Sequence, residues 1–82
     1  MSNFKLYTLK ENSKGELHVF QSKKDDAGEC LTDSMSICKK MRYNETITTH
    51  FVCQPETFTR IKLAEIGKRV CGICAGYLYS NY

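Results

Sequence analysis

The sequence has no apolar run approaching the roughly 20 residues that cross a bilayer, and no stretch that joins a strong helical moment to a basic face, so membrane association is not expected. Its opening residues, Met-Ser-Asn-Phe-Lys-Leu-Tyr, lack the apolar segment and cleavage signal of a secretory leader, which places the chain in the cytoplasm as an expectation. There is no Gly-rich phosphate loop, no Gly-x-Ser-x-Gly and no pair of carboxylates spaced for acid-base work, so the familiar catalytic patterns are missing. Concentrated charge is missing too. A formal net charge of +3 falls well short of a dedicated nucleic-acid binder. Internal repeats and low-complexity tracts are absent, so the expectation is one domain over residues 1–82.

A chain of 82 residues buries too small a share of its surface for an ample hydrophobic core, and natural domains of this size commonly add disulfides, a structural metal or an oligomer interface. Five cysteines are present: Cys30, Cys38, Cys53, Cys71 and Cys74. In a reducing compartment thiols stay free or bind metal, so these are read as candidate ligands before they are read as a disulfide framework.

The fold expected from patterning is a small α+β zinc-stapled domain. Residues 3–10 alternate in the strand period and Leu17–Phe20 is β-branched and aromatic; with a turn at Asn12-Ser13-Lys14-Gly15 between them, residues 1–22 predict an N-terminal β-hairpin. Residues 21–29 read as an exposed loop. Leu31, Met35, Cys38 and Met41 recur at spacings of three and four, predicting one short helix over 30–42 with Thr32 or Asp33 as its N-cap. Glu45–Cys53 favours a strand. Thr57–Ile66 alternates in part like a strand and in part shares a helical face, with strand preferred here. Residues 45–82 as a whole are assigned to a C-terminal zinc-binding unit.

The sharpest signal is a pair of spaced donors, His50-Phe51-Val52-Cys53 and Cys71-Gly72-Ile73-Cys74. A tetrahedral zinc ion takes four such ligands, and a two-residue gap lets the backbone fold into a knuckle that presents both donors to one ion. Gly72 suits the tight turn inside such a knuckle. The arrangement over His50–Cys74 resembles zinc-ribbon and treble-clef domains, and the resemblance implies one structural zinc clamped by two knuckles, with His50, Cys53, Cys71 and Cys74 as ligands. Cys38, on the apolar stripe, is the main substitute ligand, and Cys30, at a loop-to-helix junction, a second. His18 alternates with Leu17 and Val19, is expected to face solvent and is not a candidate.

Cys-x-x-Cys also serves thiol-disulfide oxidoreductases, but there it opens a helix early in a βαβ unit, and only eight residues follow Cys74. Four protein ligands also leave a zinc ion no open position for catalysis. The expected role is therefore non-enzymatic, with no small-molecule substrate: binding of a protein partner, as an adaptor, regulator or inhibitor of a larger machine, through an aromatic tail that includes Tyr77 and Tyr79. The alternative is a nucleic-acid-binding zinc domain that uses Lys39, Lys40, Lys68 and Arg69 on the phosphate backbone. A thiol-redox protein is a second alternative.

Overall fold

The computed structural model describes residues 6–79, apart from the side chains of Lys68 and Tyr79. Strands β1 (Leu6–Glu11) and β2 (Leu17–Lys24) form an antiparallel hairpin with Leu9 opposite Val19. Asn12 closes it: its Oδ1 accepts hydrogen bonds from the N–H groups of Lys14 and Glu16, while Gly15 adopts φ +79°, open to glycine without steric cost. The same device recurs one strand later. Asp25 Oδ1 accepts from the N–H groups of Ala27 and Glu29, Gly28 sits at φ +83°, and the chain reverses into β3 (Cys30–Thr32). The expected exposed loop over 21–29 is thus the end of β2 and a tight turn.

With β4 (Thr48–Pro55) the sheet is four-stranded, in the order β3-β2-β1-β4, and its strand pairs are all antiparallel. It is strongly curled. In a flat sheet the two edge strands would lie about 14 Å apart, three spacings of about 4.8 Å. Here Cys30 on β3 and Cys53 on β4 are joined by a disulfide, with their Cα atoms 5.8 Å apart. The bend is local to β4, whose register against β1 shifts between Tyr7 and Lys10 and whose Cys53 has φ +44°, the bulge geometry that re-aims a side chain. Thr8 Oγ1 accepts the Cys53 N–H at 3.2 Å and holds the bulge in place. The expectation that the cysteines are free or metal-bound is corrected for this pair: curling brings two thiols distant in sequence within bonding reach.

One face of the sheet carries Tyr7, Leu9, Leu17 and Val19 against Leu63 of helix α1 (Glu56–Ile66), Val70, and Cys74 and Leu78 of helix α2 (Gly72–Tyr79). On the other face Phe20 is fully buried, as is Met41 from the segment that follows β3. That face is mixed in chemistry. Thr8, Ser22 and Thr32 hydrogen-bond one another at 2.8 and 3.1 Å, and the buried Lys10 donates to Thr49 Oγ1 at 2.9 Å with its ammonium 4.3 Å from the Tyr43 ring centre. Buried polar groups here have the partners their desolvation requires.

Two secondary-structure expectations are corrected. Residues 30–42 form no helix: β3 occupies the start, and 34–43 folds back on itself, with Ser36 and Met41 joined by a backbone hydrogen bond of 2.8 Å and Lys39 at φ +63°. Ser36 Oγ accepts from the Met41 N–H at 3.3 Å, a local side-chain bond that competes with helical pairing. Conversely, Thr57–Ile66 belongs to a helix and not a strand. Thr59 and Leu63, four apart, are its buried residues; Glu56 pairs with Arg60, Lys62 with Glu65, and Gly67 at φ +78° ends it by donating to Leu63. Among the described residues no helix is long and apolar enough to cross a membrane.

Candidate metal centre

Strand β3 is short, pairing with β2 only from Ser22 to Lys24, so the earlier part of β2 keeps an edge open on that side. Edge backbone groups must find partners, and here the segment after β3 and the approach to α2 supply them. The Asp33 N–H donates to Gln21 at 3.0 Å, the Ile37 N–H to Val19 at 2.8 Å, and the Cys71 N–H to Leu17 at 2.8 Å beside a parallel bridge between Leu17 and Val70. The Val19 N–H in turn donates to Cys74 Sγ at 3.3 Å. The contacts at Leu17 and Val19 bring Cys38, Cys71 and Cys74 next to His18.

The result is a cluster of His18, Cys38, Cys71 and Cys74 in which one donor atom from each lies within 4.8 Å of the others. His18 Nδ1 is 3.3 Å from Cys38 Sγ and 3.8 Å from Cys74 Sγ, and Cys38 Sγ is 3.8 Å from Cys71 Sγ. These four residues form a candidate metal-binding site, compact enough for a single ion. His18 and Cys74 are buried, while Cys38 and Cys71 are half-buried. Glu16 lies 3.8 Å from the outer nitrogen of His18, on the side where a carboxylate commonly orients a metal-bound imidazole.

Local structure suits each thiol to ligation. Burial pushes the Cys38 thiol up, but hydrogen bonds from Ser36, the Lys40 backbone, Cys74 and His18 outweigh it and bring the pKa down to about 6. Burial, reinforced by neighbouring Cys38, pushes the Cys74 thiol up, so in the absence of an ion this sulfur keeps its proton. A bound cation supplies the charge that deprotonates such a thiol. Cys71 precedes α2 and Cys74 sits in its first turn, so the two-residue gap directs both sulfurs to the same end of the helix.

The other residues singled out from the sequence are placed elsewhere. His50 is on β4, where its Nε2 is 2.9 Å from Glu11 Oε1, and Arg69 donates to the other oxygen of the same carboxylate at 2.9 Å. This hydrogen bond from His50, with the Arg69 charge, holds the Glu11 carboxyl below its ordinary range, against a smaller effect of burial. Cys53 and Cys30 are spent on the disulfide. The structure therefore does not bring His50, Cys53 or Cys30 to Cys71 and Cys74; it brings Cys38 and His18.

His18 is not turned to solvent as its alternation predicts. It lies on the face opposite Leu17 and Val19, but that face is covered and leaves it only 4% exposed. The available signal was Phe20, two residues on and on the same face, too large and apolar to be left in water.

The surface residues fall into two groups. Tyr77, 58% exposed, lines a groove of about 590 Å³ with Met35, Ile37, Lys39, Asp33 and Leu78. Lys40 and Arg69 line a separate cleft of about 570 Å³ together with Glu16 and with His18 and Cys71 of the candidate metal site. The side chains of Lys68 and Tyr79 lie outside the described residues. No protein-family model, no curated protein and no solved structure matches the chain.

Proposed function

We propose that this chain is a small zinc-stapled domain that works by binding a protein partner and not by catalysis. The observation that carries the metal is the spacing of the cluster. Around a tetrahedral zinc ion with bonds of about 2.3 Å to sulfur and about 2.05 Å to nitrogen, the S···S and S···N edges are about 3.8 and 3.5 Å. Three of the six donor-donor contacts, 3.8 Å between sulfurs and 3.3 and 3.8 Å between sulfur and nitrogen, lie close to those edges, and all four donor atoms lie within 4.8 Å of one another. Three thiolates and an imidazole are also the soft and borderline donors that zinc favours. Four protein ligands complete the coordination shell, which suits a structural ion.

The partner-binding half of the reading is supported by the groove beside Tyr77. Met35, Ile37, Tyr77 and Leu78 line it among the polar Gln21, Asp33, Ser34 and Ser36, with Lys39 its one cation among the described residues, which suits a mixed protein contact more than a phosphate track. Among the described residues the basic side chains meet only as the pair Lys40 and Arg69 in the cleft over the cluster. Lys39 and Lys40, adjacent in sequence, line different cavities, Arg60 is committed to Glu56 and the Leu78 carbonyl, and Arg69 to Glu11.

The test is metal analysis of the chain purified without added metal, followed by its use as bait in cell extract with nuclease at low and high salt. One zinc per chain, and a protein retained at high salt but lost from Tyr77→Ala, is the expected result. A metal-free folded chain would overturn the staple. Retention abolished by nuclease or moderate salt would overturn the protein-binding reading in favour of nucleic acid.

A further inference from the structure

The four ligands are not equally sheltered. Cys74 is fully buried, with its sulfur held by the Val19 N–H, and His18 is nearly so. Cys38 and Cys71 are half-buried, their sulfurs are 3.8 Å apart, and Cys71 lines the open cleft beneath Lys40 and Arg69. A small oxidant entering that cleft meets the Cys71 sulfur, with the half-buried Cys38 sulfur 3.8 Å from it. They also sit on different segments, Cys38 on the turn after β3 and Cys71 on the approach to α2, so whatever joins or separates them acts on the packing of both.

We propose that Cys38 and Cys71 form a peroxide-sensitive pair whose oxidation to a disulfide expels the metal, so that the centre is a releasable latch as well as a staple. The inference rests on the zinc reading of the site. In the first step the Cys71 thiolate, which lines the cleft, attacks one oxygen of hydrogen peroxide: the S–O bond forms, the O–O bond breaks, and hydroxide leaves. The sulfenic acid so formed is a poor ligand. In the second step the Cys38 thiolate, 3.8 Å away, attacks the Cys71 sulfur, the S–S bond forms and the S–O bond breaks, releasing a second hydroxide. Two protons from solvent turn both hydroxides into water. Each sulfur gives up one electron, and the peroxide takes both. Left with His18 and Cys74 alone, the ion has lost two of its four donors and dissociates.

The consequence is specific to this fold. The new bond keeps the segment carrying Cys38 tied to the start of α2, while both lose their common anchor to β2 through the ion. The Cys30–Cys53 disulfide, at the other end of β2, remains as it was.

The experiment treats the zinc-loaded full-length chain with a few equivalents of hydrogen peroxide. Released zinc is followed with a chromogenic chelator, and disulfides are mapped by mass spectrometry of unreduced peptides. The expected result is release of the bound zinc in step with a Cys38–Cys71 linked peptide, reversed by a dithiol and fresh zinc. Release from a Cys30→Ser/Cys53→Ser variant should give the same linked peptide, which separates direct oxidation from exchange with the existing disulfide. Zinc retained under peroxide, release with a Cys71–Cys74 bond, or release with sulfinic acid and no bond would each overturn this proposal alone. A chain that carries no zinc before peroxide is added would overturn the metal reading itself.

Discussion

The two ends of β2 use cysteine in opposite ways. At the end that pairs with β3, Cys30 and Cys53 face one another among Thr8, Ser22 and Thr32, hydroxyl groups that hydrogen-bond among themselves, and the two sulfurs close a covalent bond. At the end that lacks β3, three thiols and an imidazole crowd together within 4.8 Å and stay unbonded. The difference lies in the neighbours. Two thiols brought together by a curled sheet are too few to enclose an ion and can close a disulfide, whereas three thiols with a histidine ring supply a full tetrahedral donor set. The disulfide ties β3 to β4 across the sheet, and an ion held by the cluster at the other end would tie loop and helix to β2.

The largest break in this comparison is loss of the metal end. Structural zinc contributes on the order of 10 kcal/mol in small domains, comparable to the whole stability of a chain this size. Cys74→Ser, or exhaustive chelation, is therefore expected to abolish both bound zinc and the cooperative thermal transition, read by elemental analysis and calorimetry. His18→Ala is expected to lose the metal in the same way although patterning had left it aside. A fully metallated His18→Ala chain would mean that the histidine is a neighbour of the ion and not a ligand.

Breaking the covalent end is expected to do less. The disulfide closes a loop spanning a sequence separation of 23, and chain-entropy arguments assign such a bond about 3 kcal/mol. Cys30→Ser/Cys53→Ser should fall by about that amount in denaturant-unfolding free energy while zinc content stays unchanged. Coupled loss of zinc would show that the two ends fold as one unit and not as separate staples.

Two smaller changes sharpen the boundary between the ends. His50→Ala removes the Glu11 contact from an exposed position and is expected to leave the thermal transition nearly where it was, with no change in metal content; a loss of zinc there would restore His50 as a ligand. Lys39→Asn, at the turn beside Cys38 where φ is +63°, is expected to raise stability by about 0.5 kcal/mol, because asparagine tolerates the left-handed region better than lysine. Destabilisation by that change would indicate that the lysine side chain itself holds the turn.

Local grammar was readable where residues act over short distances. The hairpin at Asn12–Gly15 follows from alternation plus a turn-forming Asn and Gly, and the second reversal at Asp25–Gly28 repeats the same order of residue types, Asn-x-x-Gly-Glu and Asp-x-x-Gly-Glu, a likeness that could have been read in advance. Cys71 and Cys74 share a cluster because two intervening residues place both at the start of one helix. The apolar spacing of Leu31, Met35, Cys38 and Met41 misled for a definite reason. Its residues are used one at a time, with Leu31 45% exposed, Met41 fully buried and Cys38 turned to the cluster, so no continuous helical face is buried. Tertiary contacts along the β2 edge outweighed a weak local preference.

What the sequence determined by itself is the stock of parts: β-hairpin segments, turns set by Asn, Asp and Gly, a terminal Cys-x-x-Cys, and more soft donors than a small core needs. Which donors meet was decided only in three dimensions. His18 and Cys74 are separated by 56 positions, and nothing in their spacing links them. They meet because β3 ends early and leaves β2 with unpaired backbone groups that draw in the segments bearing Cys38, Cys71 and Cys74. Curling of the sheet likewise assigned Cys30 to Cys53, since only a bulge at Cys53 carries an edge strand across to its opposite edge. Sequence spacing fixes which donors can share a turn; the edges and curvature of a sheet fix which turns come together.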